Sequence, residues 1–255
     1  MQPGEPESAS DENPVWNGWD VALFAVVAVV SLFVAGALMA VFYFAAHGVK
    51  TAKAEDINGD LRFILPVQVF SYAVMVFTMY ATVRWRYGRS FLDAIRWNWS
   101  RIRPWMFVAA GIALAIASQL SEVVLRVPKD LPIQKFFATT AGAYLMGVLG
   151  VLIAPVVEEL FFRGFIYPVI ARRLGMIGGI AITGALFALL HGAQLAYSWT
   201  ALLIMFAIGA VLTAIRAVTK SVAASTITHI TYNFVLMATL WIGTDHFHHL
   251  EQLGK

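Results

Sequence analysis

The chain contains no cysteine. That excludes a disulfide framework, a thiolate nucleophile and any thiolate metal site, and it leaves the redox compartment unreadable. Charge is scarce too. Asp, Glu, Lys and Arg make up 13% of the 255 residues, against about 25% in an ordinary soluble domain. Five stretches hold no charge at all: 21–46, 63–83, 104–121, 136–157 and 192–215. No Lys or Arg occurs in residues 1–20, so the basic leader of a secretory signal is missing, and the apolar run that follows is too long for a signal core. No internal repeat is visible.

What remains is apolar. Hydrophobic residues account for 60% of the chain and the mean hydropathy is +0.73. About 20 apolar residues cross roughly 30 Å of hydrocarbon. Only helices and closed barrels satisfy their backbone there, and these runs exceed a barrel strand. The pattern predicts an all-α, polytopic transmembrane helix bundle of about seven spans, near 20–46, 63–84, 104–125, 136–167, 174–192, 198–216 and 221–242. Residues 1–19 read as an acidic tail and 20–135 as amino-terminal membrane helices with a basic interfacial segment at 84–104. Residues 136–242 read as a second membrane unit, and 243–255 as a polar tail too short for a further span. Pro155 and Pro168 predict a kink or break in the fourth span. Pairs such as Gly175 and Gly179, or Ala143 and Gly147, sit four apart and favour close helix approach.

The basic residues flank the spans, so the pI near 9.2 reflects membrane topology and not a nucleic-acid partner. Ten Lys and Arg fall in one set of loops, Arg84 to Arg103 foremost, and seven in the other. The bias places the amino terminus in the cytoplasm. Trp85, Trp97, Trp99 and Trp105 within the basic cluster read as aromatic anchors at the membrane surface. Glu122 and His47 read as span-end residues, and the tail histidines His248 and His249 as surface groups.

Ionisable residues inside hydrocarbon cost about 2.5–3.5 kcal/mol each on insertion scales, so the few present ask for a reason. Glu158 and Glu159 end a run of 22 uncharged residues. Adjacent helical positions diverge by roughly 100°, so the two carboxylates serve different purposes. Glu159 and Arg163 are four apart with the acid first, the favourable order for an ion pair. Glu158 is then left to face a cavity, where a desolvated carboxyl suits a general base. His191 lies 33 residues beyond Glu158. A hairpin turn near 174–175 brings both to the same depth. His229 and Asn233 share one helix face and can donate hydrogen bonds to a developing negative charge. Each element has a plainer reading as a span end, a packing histidine or interhelical glue. Four such groups from three helices favour one shared site.

These residues carry a family pattern. The stretches Glu158-Glu159-Leu-Phe-Phe-Arg163, Phe187-Ala-Leu-Leu-His191 and His229-Ile-Thr-Tyr-Asn233 resemble, in order and without substitution, the three motifs of the CPBP family, the CAAX-processing and bacteriocin-processing intramembrane proteases. The resemblance covers about 136–242 and makes that unit the catalytic core. It implies that Glu158, helped by His191, activates water against a peptide carbonyl, that His229 and Asn233 hold the oxyanion, and that Glu159 and Arg163 support them. It also implies a lipid environment, a membrane-associated or lipidated peptide or protein as substrate, and a bacterial or archaeal plasma membrane. Family members often carry a further helix after the last motif, for which this chain has no room. No His-Glu-x-x-His helix is present, so no metal is expected, with zinc held by Glu158, His191 and His229 as the alternative. Two other functions stay open at this level, a non-catalytic scaffold or sensor of the same fold and a transporter.

Overall fold

The long uncharged runs become helices because each satisfies its own backbone along the run. A computed structural model describes residues 13–47, 61–99, 103–137 and 139–250. Most of the acidic tail, together with Lys50, Lys53, Arg101 and Lys255 of the loop count, lies outside them, as does the side chain of His47. The elements are α1 (Gly18–His47), α2 (Leu61–Ala81), α3 (Phe91–Ala94), α4 (Pro104–Val124), α5 (Thr140–Val148), α6 (Ala154–Glu159), α7 (Tyr167–Leu190), α8 (Trp199–Thr219) and α9 (Val222–Gly243). No strand occurs among the described residues.

Among the described residues five helical rods are long and apolar enough to cross a membrane: Gly18–Ala46, Leu61–Arg86, Pro104–Val124, Thr140–Leu190 and Trp199–Thr219. The chain is an integral membrane protein. The fourth rod is two spans. At Gly175 the backbone takes φ 71° and ψ 177°, a conformation open to glycine and costly for other residues, and the chain folds back. A Cβ on Gly179 would fall 2.8 Å from the Ala171 side chain and 2.9 Å from that of Tyr167, which a straight helix forbids. α9 is also long enough, but Ser225, Thr226, Thr228, His229 and Asn233 leave it less apolar than the others. With the fourth rod counted as two and α9 added, the described residues hold seven long helical segments. Gly175 serves as the turn and not as the close-packing residue expected; a Cβ there meets nothing within 4 Å.

α1 packs on α2, α4 on α9, and the second half of α7 on α8. The last pair meets at two glycines. A Cβ on Gly209 would lie 3.1 Å from the Gly184 Cα, and one on Gly184 would lie 3.0 Å from the Ala210 nitrogen. On the outside, α1 presents Phe33, Val41 and Phe42, as lipid contact requires.

The amino-terminal segment is more deeply engaged than a tail. Trp16 is buried, stacks on Phe165 at 4.5 Å and donates its indole N–H to the Phe165 carbonyl at 3.2 Å. Asp20 is buried as well. It accepts from Arg86 at 2.9 Å and from the Tyr87 hydroxyl at 2.6 Å, which holds the phenol above its ordinary range. The basic segment is likewise more than a surface strip. Trp85, Trp99 and Trp105 are exposed, as anchors are, but Ile95 is fully buried beside Gly164. The Arg96 carbonyl accepts from the Val222 N–H at 3.0 Å, and Asn98 donates to the Lys220 carbonyl at 3.1 Å, so the segment caps the α8–α9 turn. Arg216, counted as a loop residue, is buried in the last turn of α8 over the Tyr167 ring.

Candidate active site

The fourth span does not break at its prolines; it changes pitch. Residues Leu149–Ile153 and Leu160–Ile166 form π-helical turns flanking α6. In the first turn the Ala154 N–H bonds to the Leu149 carbonyl, five residues back. The next such bond would run from residue 155 to Gly150. Pro155 has no N–H, so the Gly150 carbonyl is left over inside the bundle. Asn233 answers it, donating from Nδ2 at 2.6 Å. Such turns often accompany functional sites.

The two glutamates diverge. Glu159 is completely buried. Its Oε1 accepts from Arg163 Nη1 at 2.9 Å and from His229 Nδ1 at 3.0 Å. Arg163, also fully buried, donates from Nη2 to the Gly209 carbonyl at 2.8 Å and from Nε to Thr213 at 3.2 Å. The close approach of α7 and α8 puts that carbonyl within reach. The guanidinium lies 4.7 Å from the Phe187 ring centroid. A buried pair is better tolerated when further hydrogen bonds support it, and each of the three Arg163 nitrogens donates to a partner. Glu158 keeps 17% side-chain exposure, and its Oε2 lies 3.9 Å from His229 Nε2.

The imidazoles have defined faces. His191 Nδ1 sits 2.8 Å from the Phe187 carbonyl. A carbonyl only accepts, so Nδ1 carries the proton and the neutral ring presents a lone pair on Nε2. His229 gives its Nδ1 proton to Glu159 and turns Nε2 toward Glu158. A carboxylate behind a histidine fixes ring orientation in this way in many sites. Phe187 supports both rings, 4.6 Å from His191 and 5.9 Å from His229, centroid to centroid.

A cavity of about 280 Å³ collects Glu158, His191, His229 and Asn233 in one lining. The same wall holds Gln68 and Tyr72 of α2 and Gln194 from the turn after His191. A larger space of about 650 Å³ shares Met205, Ile208 and Tyr232 with it and opens among Glu122, Arg126 and Lys129. Glu122 stands at its rim, exposed. Among the described residues no three His, Asp or Glu stand together as metal ligands, so the zinc set of Glu158, His191 and His229 does not fit as placed. His246 pairs with Asp245 at 3.1 Å, away from the cavity residues.

Sequence reasoning missed the Glu159–His229 bond, the Asn233–Gly150 bond and the α2 contribution. The first two join residues 70 and 83 positions apart. The third had a faint signal, a Gln and a Tyr four apart within an uncharged run.

No curated protein and no solved structure matches the chain. Residues 140–235 match the family model described as type II CAAX prenyl endopeptidase Rce1-like, a peptide-hydrolase family. The match spans less than half of the chain and runs from the start of α5 into α9, taking in all three motifs and both π-turns. Over that segment the chain is similar to the CAAX protease family.

Proposed function

We propose that the chain is an intramembrane endopeptidase that cleaves a membrane-associated peptide or protein, with Glu158 as general base and no resident metal. One observation carries the reading. A partly exposed carboxylate, two imidazoles with free Nε2 positions and one carboxamide line a single cavity between membrane helices.

In this scheme a water held by Glu158 and the His191 Nε2 lone pair gives a proton to Glu158. Its oxygen attacks the scissile carbonyl carbon. The oxyanion forms toward Asn233, whose second amide N–H is not needed by Gly150, and toward His229. Donation through Nε2 while Nδ1–H stays on Glu159 requires the doubly protonated His229 ring. The C–N bond then breaks as protonated Glu158 returns its proton to the leaving nitrogen. Arg163 holds Glu159 in place beside His229. The same reading puts the amino terminus in the cytoplasm, beside the Arg84–Arg103 cluster.

The test is cleavage of internally quenched apolar lipopeptides by the purified protein in detergent, with cleavage of co-expressed membrane substrates as a second assay. Glu158→Ala and His191→Ala are expected to lose cleavage while the parent tolerates a strong chelator. Variants that cleave as well as the parent would remove the assignment. Loss of parent activity in the chelator, restored by zinc, would remove the metal-free part of it.

A further inference from the structure

We propose that Gln68 and Tyr72 of α2 form a clamp for the substrate backbone opposite Glu158, with the Tyr72 hydroxyl donating to the carbonyl under attack. The inference rests on the protease reading and deepens it, because α2 lies outside the matched segment 140–235.

The donors already placed at the site are largely committed. Each of the three Arg163 nitrogens already donates, to Glu159, Gly209 and Thr213. One amide hydrogen of Asn233 is spent on Gly150. The Nδ1 protons of His191 and His229 are spent on Phe187 and Glu159. Tyr232 lines the cavity too, but the carboxylate within its electrostatic reach is Glu122 and not Glu158.

Tyr72 differs. It lines the cavity, it lies within electrostatic reach of the Glu158 carboxylate, and among the described residues its hydroxyl has no hydrogen-bond partner. Gln68 precedes it by one turn and therefore shares its face. The Gln68 amide lines the same cavity and is likewise without a partner among the described residues. Other polar side chains of α2 are satisfied internally: Ser71 by Ser31 and the Ala28 carbonyl, Thr78 by the Val74 carbonyl. Polar groups at membrane depth ordinarily find partners in neighbouring helices. Two on one face that find none, both lining the cavity of the reactive carboxylate, are arranged for a ligand that brings its own amides.

An extended peptide is such a ligand. Its backbone offers an acceptor and a donor at each residue, which matches a carboxamide and a phenol one turn apart. Among the described residues the cavity wall contains no Lys or Arg, and Glu158 is its only carboxylate. The segment it takes is therefore unwound, with uncharged side chains flanking the scissile bond.

The experiment uses the full chain in detergent and the quenched lipopeptide that the parent cleaves fastest. Tyr72→Phe removes one hydroxyl and keeps the ring. The expected result is a fall in kcat of about 10²-fold, the scale of one lost oxyanion donor, with KM and thermal midpoint near the parent values. Gln68→Leu is expected to raise KM by about tenfold with kcat little changed, the signature of lost uniform binding. Tyr72→Phe with parental kcat and Gln68→Leu with parental KM, beside an inactive Glu158→Gln, would overturn the clamp and leave the protease reading standing. A loss of kcat accompanied by a lowered midpoint in Tyr72→Phe would also overturn it, as a packing effect. Glu158→Gln as active as the parent would remove both readings.

Discussion

Glu159→Gln is the sharpest perturbation of the buried network. The substitution keeps shape and a hydrogen-bond acceptor, so His229 Nδ1 still has a partner. It removes the negative charge paired with Arg163, whose side chain is fully buried. An uncompensated buried charge costs about 3–5 kcal/mol, a large share of the roughly 5–15 kcal/mol that separates most folded chains from unfolding. At about 2–4 °C per kcal/mol for a protein near this size, the apparent midpoint should fall by about 6–20 °C. The double variant Glu159→Gln/Arg163→Met removes the stranded cation too. Thr213 still satisfies the Gly209 carbonyl at 2.7 Å, so the double variant should return to within about 1 kcal/mol of the parent. Thermal unfolding in one detergent measures all three proteins and the Arg163→Met single that completes the cycle. Activity should stay low in the double variant, because His229 has lost the anion behind it. A midpoint drop under 2 °C in Glu159→Gln, or a double variant as unstable as the two singles summed, would refute the reasoning.

Three further outcomes follow from the packing. Asn233→Ala strands the Gly150 carbonyl that Pro155 cannot serve, so stability should fall by about 1–3 kcal/mol, and cleavage should fall with it; thermal unfolding and the lipopeptide assay read both. Trp16→Ala empties a buried aromatic site against Phe165 and should cost about 3–5 kcal/mol, whereas Trp16→Phe loses chiefly one hydrogen bond worth about 1 kcal/mol; equal midpoints for the two would contradict the stacking. Gly209→Ala places a Cβ 3.1 Å from Gly184 backbone, which should separate α7 from α8 at a cost of about 1–3 kcal/mol, detectable as a lowered midpoint.

The sequence was informative where chemistry is local. Glu159 and Arg163 are one helical turn apart, so their pairing follows from pitch alone, and the divergence of Glu158 follows from the same angle. The hairpin that levels Glu158 with His191 needed only the position of its turn, and glycine's freedom of φ marked it. Long-range partners were not legible. Nothing in the letters around His229 says that its Nδ1 will meet Glu159, and the spare Gly150 carbonyl exists only because a π-turn and a proline coincide. Two buried charges at span ends, Asp20 and Arg216, misled for the opposite reason. Their place in the chain looked peripheral, while tertiary packing draws one under Arg86 and Tyr87 and the other under Tyr167. The seven-segment bundle was readable from charge-free length. That Ile95 drives a basic segment into the core was not, because a lone apolar residue among arginines has no periodicity to reveal it.

The most direct measurement is the kcat of Glu158→Gln against that of the parent, on one cleavable lipopeptide at saturating concentration and matched thermal midpoint. If the cavity carboxylate takes the proton from the attacking water, turnover should fall by about 10²–10⁴-fold, the usual contribution of a positioned general base. Turnover within a factor of two of the parent would mean that the peptide bond is broken elsewhere, or not by this protein.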